Sequence, residues 1–249
     1  MHIVIATPMY GGNCKGAYME SVIDLTFALA SRGDRITFSR VYNESLITRA
    51  RNTLSYEFLQ TDADAMLFID ADLAFNPQAV IKMIDSGKDL IGGIYPVKDI
   101  NWPQVQQAAL NGETDLVRYS GVFTANGIPT DTDIHISQPL KVSQVATGLM
   151  FITRTVFEQM APNCRTYLDN NTHGGVIEGK KVITEFFNTD ISDQGVLLSE
   201  DYYFCDQWRK IGGEVYAAPW INTIHFGDYG FSGSFAETLL YKSQYPQEK

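Results

Sequence analysis

The chain has 249 residues, of which 45% are apolar and 19% are charged. That length and composition suit one α/β domain with a sizeable core. The net charge of −10 disfavours generic binding to nucleic acids or anionic membrane surfaces, because an acidic surface repels phosphate groups. It does not exclude a nucleotide, which a divalent cation and a few hydrogen-bond donors can hold locally.

Cysteine content and the N-terminal segment bear on the compartment. Cys14, Cys164 and Cys205 are odd in number and widely spaced, which predicts neither a disulfide framework nor a zinc knuckle and favours a reducing compartment. The N-terminal apolar run lacks the basic residues and the length of a signal peptide. No run approaches the roughly 18 apolar residues that a membrane span needs. We therefore expect a cytoplasmic protein without a membrane span.

The first hundred residues alternate between predicted strands and helices. Apolar and β-branched runs predict strands over 2–7, 35–41 and 65–69, and apolar residues at helical spacing predict helices over 17–31 and 46–60. This alternation predicts a parallel, doubly wound sheet, whose ligands bind beyond the carboxyl ends of the strands. Three polar segments follow those ends and are expected to share one site: Thr7-Pro8, Asn43-Glu44 and Asp70-Ala71-Asp72.

The rest of the chain is less regular. Asn76 and Pro77 predict the start of a helix, as its N-cap and first helical residue. Further strands and helices are predicted over 90–95, 145–153, 156–160, 200–211 and 214–218. The segments 99–145 and 163–195 have weak periodicity and are expected to be loops that shape an acceptor pocket. No repeat or linker marks a boundary, so one domain over 1–249 is predicted.

Asp70 and Asp72 directly follow the most apolar predicted strand. Residues i and i+2 of an extended chain point the same way, so both carboxylates can face one ion. Carboxylates, waters and substrate phosphates commonly hold Mg²⁺ or Mn²⁺. The alternative is a turn that caps the next helix, since Asp is common in turns. A second such pair, Asp62 and Asp64, precedes the strand and is interpreted as a solvated loop.

Four segments, in chain order, resemble the GT-A glycosyltransferases and within them the broad family-2-like group. They are ATPMYGG near the N-terminus, TRARN with the strand that ends at Asp70 and Asp72, VATGLMFITRTVF, and SEDYYFCDQWRKIGGEVY followed by INTIHFG. Together they span nearly the whole chain. The resemblance implies a single GT-A domain of the α/β class, with a mixed, mostly parallel central sheet flanked by helices. About residues 1–98 would bind the nucleotide sugar, and about residues 99–249 would bind the acceptor and carry catalysis.

The resemblance also implies roles for individual residues. Asp70 and Asp72 would coordinate Mn²⁺ or Mg²⁺ at the donor diphosphate, with His225 as a third metal or diphosphate ligand. Asp201, or alternatively its neighbour Glu200, would be the base that deprotonates the acceptor. The remaining donor contacts would come from Thr7, Pro8 and Tyr10 at the nucleoside, Arg49 and Asn52 near the ribose or diphosphate, and Ala71 between the aspartates.

These roles agree with the chemistry of glycosyl transfer. The donor leaves as a nucleotide diphosphate, whose developing charge needs a cation. The attacking hydroxyl is a weak nucleophile and needs a base. We therefore expect transfer from a nucleotide-diphosphate sugar, with UDP favoured and GDP second, to a hydroxyl of a glycan or related acceptor. Asp201 as base favours inversion, whereas a retaining reaction stays an alternative.

Other interpretations stay open. Glu200 and Asp201 also suit the first turn of a helix, where acidic side chains are electrostatically favourable, and His225 could be structural. The strand before Asp70 also resembles the nucleophile strand of haloacid-dehalogenase-type phosphatases, although Leu73 departs from that motif. A non-catalytic nucleotide- or sugar-binding module is a third interpretation, and such a module would not need a base.

Overall fold

The computed structural model of the chain describes residues 1–123, 135–169 and 181–244. The strands of its first half are β1 (His2–Met9), β2 (Arg35–Tyr42), β3 (Ala65–Ile69), β4 (Leu73–Phe75), β5 (Leu90–Gly93), β6 (Pro96–Ile100) and β7 (Gly121–Phe123). Those of its second half are β8 (Leu140–Val142), β9 (Leu149–Thr153), β10 (Thr166–Asp169), β11 (Lys181–Thr184), β12 (Asp190–Ile191), β13 (Leu197–Leu198), β14 (Val215–Ala218), β15 (Thr223–Phe226) and β16 (Gly230–Phe231). The helices are α1 (Gly16–Ser31), α2 (Ile47–Leu59), α3 (Pro77–Ile84), α4 (Trp102–Leu110), α5 (Arg154–Met160), α6 (Glu200–Lys210) and α7 (Phe235–Gln244).

The central sheet of the described residues has seven strands in the order β2-β1-β3-β9-β5-β14-β8. β1 pairs in parallel with β2 and β3, and β14 pairs in parallel with β5. β9 runs antiparallel between β3 and β5, and β8 runs antiparallel beside β14. Five of these strands therefore share one direction. The predicted α/β domain with a mixed, mostly parallel sheet flanked by helices is confirmed.

Alternating side chains divide the core between the two faces of this sheet. In β3, the residues Ala65, Leu67 and Ile69 belong to the core cluster that contains residues of α1 and α3. Met66 and Phe68 belong to the cluster that contains residues of α2, α5 and α6. A strand covered on both faces reads as a continuous apolar run, which explains why this strand was predicted within its observed bounds.

The structure corrects the sequence-based prediction in one respect. The segments 99–145 and 163–195 are not simply loops, since they contain α4, β7, β8, β10 and β11 among other short elements. Their apolar periodicity is weak because α4 buries only Ala108 and the β10–β11 pair is largely exposed.

A small sheet extends the carboxyl end of β3. It consists of β4, β15 and β16, with β15 antiparallel to both neighbours. His225 is paired with Leu73 in this register. The α3 helix begins next to it as predicted, since the Asn76 side chain accepts hydrogen bonds from two amides of its first turn. Across the described ranges, no helix combines the length and the apolarity needed to cross a membrane.

Candidate active site

A cleft of about 680 Å³ lies at the carboxyl ends of β1, β2 and β3. That volume is typical of pockets for small molecules and cofactors. Residues at or just after the ends of all three strands line it, including Pro8, Glu44, Asp70 and Asp72. The predicted convergence of these three strand ends is therefore confirmed. The segment after β1 also contributes Tyr10, whose residue surface is 73% exposed.

Backbone pairing places His225 beside Asp72. The amide of Phe226 donates to the carbonyl of Asp72 over 2.9 Å, next to the β4–β15 pairing. The His225 ring contacts Tyr95 edge to face, with the ring centres 5.5 Å apart. Its Nε2 atom lies 3.4 Å from Asp72 Oδ1.

The second ring nitrogen of His225 fixes the orientation of the ring. Nδ1 lies 2.9 Å from the Pro96 carbonyl oxygen, and a carbonyl can only accept, so Nδ1 carries the hydrogen. Nε2 is therefore the ring nitrogen that faces Asp72 Oδ1. Metal-binding histidines are commonly oriented by such a bond from the other ring nitrogen to a carbonyl.

This pair of donors fits a divalent cation. One carboxylate oxygen and one imidazole nitrogen suit Mn²⁺, and Mg²⁺ also accepts carboxylates. Within the described part of the chain, no group of three or more His, Cys, Asp or Glu side chains is already arranged to hold a metal. Further ligands would therefore come from water and substrate phosphates, as is usual for Mg²⁺.

Two lysines bring positive charge to the cleft. Lys98 Nζ donates to Asp72 Oδ2 over 2.6 Å. Lys15 Nζ donates to the carbonyl of Gly227 over 2.9 Å, and the Lys15 amide donates to the carbonyl of Ala71. Burial acts to raise the pKa of Asp72, but its contacts with His225 and Lys98 outweigh burial and lower that pKa. Asp72 is therefore ionised at neutral pH.

Arg51 links the acidic pair to the start of α6. Its residue surface is only 4% exposed, and it donates to Asp70 Oδ1 and to Glu200 Oε1, each over 3.2 Å. Among the described residues, its Nη1 atom has no hydrogen-bond partner. Burial and the neighbouring Asp201 raise the pKa of Glu200 despite the contact with Arg51.

Glu200 and Asp201 lie side by side but have different partners. Glu200 faces Arg51, as described above. Asp201 Oδ1 accepts a hydrogen bond from the Tyr202 amide over 2.9 Å and another from the Ser199 hydroxyl. In the described ranges, Asp201 Oδ2 has no hydrogen-bond or ion-pair partner. Of this pair, Glu200 is therefore held by an arginine, whereas Asp201 is held by uncharged donors at the start of α6.

Gly148 forms the floor beneath the acidic pair. The amide of Asp70 donates to its carbonyl over 2.8 Å, and its own amide donates to the Tyr95 hydroxyl over 3.0 Å. A Cβ atom at Gly148 would lie 2.4 Å from that hydroxyl and 2.9 Å from Asp70 Oδ2. Gly148 therefore allows the close packing of Tyr95 and Asp70 at this point. Burial, with the nearby Asp70 charge, raises the pKa of Tyr95 well above its usual value, so its phenol stays protonated.

Three predicted donor-binding residues lie away from the cleft wall. Thr7 is buried, and its hydroxyl hydrogen-bonds to Tyr18 over 2.7 Å. Asn52 is also buried, and its amide both donates to and accepts from the backbone of Phe187. Both polar atoms of the Asn52 side chain thereby hold the segment before α6. Arg49 forms an ion pair with Glu44 instead of standing free.

Four residues of the site had no assigned role at the sequence level. Glu44 was recognised only as following a strand, and its carboxylate is fixed by Arg49 and by the Leu46 amide. Arg51 appeared only within the segment TRARN, without a role of its own. Lys15 and Lys98 carry no local signal, because their positions depend on contacts between distant segments.

No protein-family model matches the chain, and no curated protein matches it. The solved structure of A197 from STIV is similar over 92% of this chain and 87% of its own, with 16% identity and a TM-score of 0.47. GalNAc-T7, crystallised with UDP, GalNAc and Mn²⁺, is similar over 90% of this chain and 43% of its own, with 10% identity and a TM-score of 0.43.

TarS from S. aureus, in complex with UDP-GlcNAc, is similar over 87% of this chain and 56% of its own, with 11% identity and a TM-score of 0.40. The chain therefore spans less than two thirds of the length of GalNAc-T7 and of TarS. We base the function on the chemistry of the cleft.

Proposed function

We propose that this chain is a GT-A glycosyltransferase that moves a sugar from a nucleotide-diphosphate sugar, with UDP favoured and GDP second, to a hydroxyl of a glycan or related acceptor. One observation carries the proposal. In a cleft of nucleotide size, the carboxylate oxygen Asp72 Oδ1 lies 3.4 Å from the imidazole nitrogen His225 Nε2, and the Pro96 carbonyl orients that ring. A carboxylate and an imidazole placed together in this way suit a divalent cation that binds both.

The residues that would hold the cation are Asp72 and His225, with Asp70 beside them. When bound, Mn²⁺ or Mg²⁺ supplies a positive charge that stabilises the diphosphate as it leaves. The chain's own ammonium groups, on Lys15 and Lys98, add positive charge along the same cleft. Preorganised charge of this kind lowers the barrier because it is already in place when the leaving group becomes more negative.

The other wall of the cleft suits the nucleoside. Tyr10 presents an exposed aromatic ring on which a base can stack. The Glu44 carboxylate is held by Arg49, and a carboxylate is an acceptor for ribose hydroxyls or a base N–H group. Pro8 and Ala71 complete this part of the lining. These contacts agree with a nucleotide donor and leave its base to be measured.

Asp201 is the proposed base. It would accept the acceptor's hydroxyl proton on Oδ2 while the acceptor oxygen forms the new bond to the anomeric carbon. The bond from that carbon to the diphosphate oxygen breaks, and its electron pair leaves with the diphosphate. A single displacement of this kind inverts the anomeric configuration. Glu200 stays the alternative base, and its carboxylate is held by an ion pair with the buried Arg51.

Thermal unfolding tests the donor part of the proposal. The pure protein would be heated with UDP, GDP, CDP or dTDP, each with and without Mn²⁺. We expect UDP to raise the midpoint by about 5–10 °C at a hundredfold excess over Kd, and only when Mn²⁺ is present. If no nucleotide raised the midpoint with Mn²⁺, the assignment of the cleft to a nucleotide donor would be wrong.

The variant Asp201→Asn separates a transferase from a module that only binds. We expect it to bind UDP with Mn²⁺ like the wild type but to release UDP from UDP-sugars about a hundredfold more slowly. Unchanged turnover would exclude Asp201 as the base. A wild type that binds UDP but never releases it from any UDP-sugar would instead be a binding module.

The division of the domain near residue 98 and the cytoplasmic location stay predictions.

A further inference from the structure

Lys98 forms an ion pair with the same carboxylate, that of Asp72, that a divalent cation would bind. Its Nζ atom lies 2.6 Å from Asp72 Oδ2, while His225 Nε2 lies 3.4 Å from the other oxygen of the same carboxylate. Asp72 is thus already partly neutralised by a side chain of the protein. A charge-assisted hydrogen bond of this kind is stronger than a neutral one, so a cation that needs Asp72 must compete with it.

Strand β6 orients His225 and carries Lys98, and these are the two side chains that contact the Asp72 carboxylate. In β6, the carbonyl of Pro96 holds the His225 ring, and Lys98 lies two residues further on. The Asp72 backbone is held in turn by the amide of Phe226. The carboxylate and the imidazole are therefore anchored, whereas the ammonium is attached to a flexible stem whose side chain is 42% exposed. Lys98 is the member of this cluster that can move.

A released Lys98 needs a new anion. The donor diphosphate would enter the cleft that Lys98 lines, and an ammonium with three rotatable donors binds phosphate oxygens readily. Without the diphosphate, a divalent cation bound to Asp72 leaves the Lys98 ammonium group unpaired beside the charge of that cation. With the diphosphate, the divalent cation and the Lys98 ammonium group each have an anionic partner.

We infer that Lys98 couples the two binding events: it is a tethered counter-ion of Asp72 that disfavours the divalent cation alone and favours the cation together with the nucleotide diphosphate. This inference rests on the proposed function, because it takes the cleft to bind both ligands. Coupling between two ligands is reciprocal, so the factor by which UDP tightens Mn²⁺ equals the factor by which Mn²⁺ tightens UDP.

Mn²⁺ binding measured by electron paramagnetic resonance, with and without UDP, tests the inference without any activity assay. The variant is Lys98→Met, which keeps the length of the stem and removes the charge. The matched control is Lys141→Met, since Lys141 also pairs with one carboxylate, that of Glu214 over 2.5 Å, but lies outside the cleft. Both variants change the net charge equally, and Mn²⁺ bound by UDP alone is subtracted.

We expect Lys98→Met to bind Mn²⁺ alone about fivefold more tightly than the wild type, as befits the loss of one partly exposed competing ion pair. The factor by which UDP increases the affinity for Mn²⁺ should be about fivefold smaller in Lys98→Met than in the wild type. Lys141→Met should behave like the wild type. Unchanged or weaker binding of Mn²⁺ alone to Lys98→Met would overturn the inference while leaving the proposed function intact. A wild type that binds no Mn²⁺ even with UDP would overturn both the inference and the metal site.

Discussion

Two pairs of aspartates with identical spacing flank the same strand and have different surroundings. Asp62 and Asp64 precede β3, and Asp70 and Asp72 follow it. The Asp62 side chain is 74% exposed and pairs with Arg35 and His2. The Asp64 carboxylate accepts from the His2 amide over 2.6 Å, which ties the start of the chain to the sheet.

The pair after β3 is less exposed and faces the cleft. Both of its side chains are 29% exposed, and their partners come from α2, β6 and β15. The difference does not lie in the motif, which is Asp-Ala-Asp in each case. It lies in the strand's direction, because the carboxyl ends of parallel strands collect the loops that build a site.

The largest effect is expected when an aspartate is replaced by asparagine at one end of β3 and the result is compared with the same replacement at the other end. Asp72→Asn removes the carboxylate that faces His225, and we expect UDP release from a UDP-sugar with Mn²⁺ to fall about a thousandfold. Asp62→Asn is the matched control and should retain wild-type turnover. The measurement is the initial rate of UDP release, with circular dichroism to verify folding. Equal losses in both variants would contradict a special role for the carboxyl end.

A smaller effect tests how tightly the carboxyl end is packed. In Gly148→Ala, the new methyl group meets Tyr95 and Asp70 at distances that require the backbone to shift. Overpacking of this kind costs about 1–3 kcal/mol, so the Tm should fall by about 3–10 °C. Gly16→Ala is the control, since no atom lies within 4 Å of its Cβ position at the start of α1. A Tm for Gly148→Ala equal to that of Gly16→Ala would show that the floor can relax.

The smallest effect concerns pH. The pKa of Asp72 is lowered in the folded protein, so its ionised form stabilises the fold at pH values above about 4, its ordinary unfolded value. That contribution is lost as the pH falls through the folded pKa. Asp72→Asn should therefore lower the Tm by about 1–3 °C at pH 7 and by progressively less as the pH falls below about 4. A difference in Tm that stayed constant as the pH fell would assign the loss to packing instead of charge.

Local pattern was sufficient to predict those parts of the fold that are buried in a regular way. The run 65–69 is covered on both faces, and the Asn76 cap depends only on the residues that follow it. The direction of β9 was not predictable in the same way, because strand polarity depends on how distant segments connect. α4 was missed because a helix that buries a single alanine has no apolar periodicity to detect.

The same distinction, between what local pattern predicts and what depends on distant contacts, applies to the residues of the site. Asp70 and Asp72 were found from their place after an apolar strand, and His225 was found through the resemblance; the structure brings His225 to Asp72. Lys98 was missed, since its contact with Asp72 depends on where β6 lies relative to β4 and β15. Asn52 was assigned to the donor through the resemblance, and its side chain hydrogen-bonds to the backbone of Phe187. Sequence thus located the segments of the site, and tertiary contacts decided which side chain each segment presents.

The antiparallel pairing of β4 with β15 also bears on which evolutionary changes the site can tolerate. Each residue added to a strand advances it by about 3.3 Å and reverses the side chains relative to its partner. A deletion or insertion between Leu73 and Phe75, or between Thr223 and His225, would replace the imidazole at Asp72 by a neighbouring side chain from the opposite face. Substitutions on the outer face of these strands leave that alignment unchanged. Descendants of this sequence should therefore diverge in side chains around the cleft long before they change the length of these two short strands.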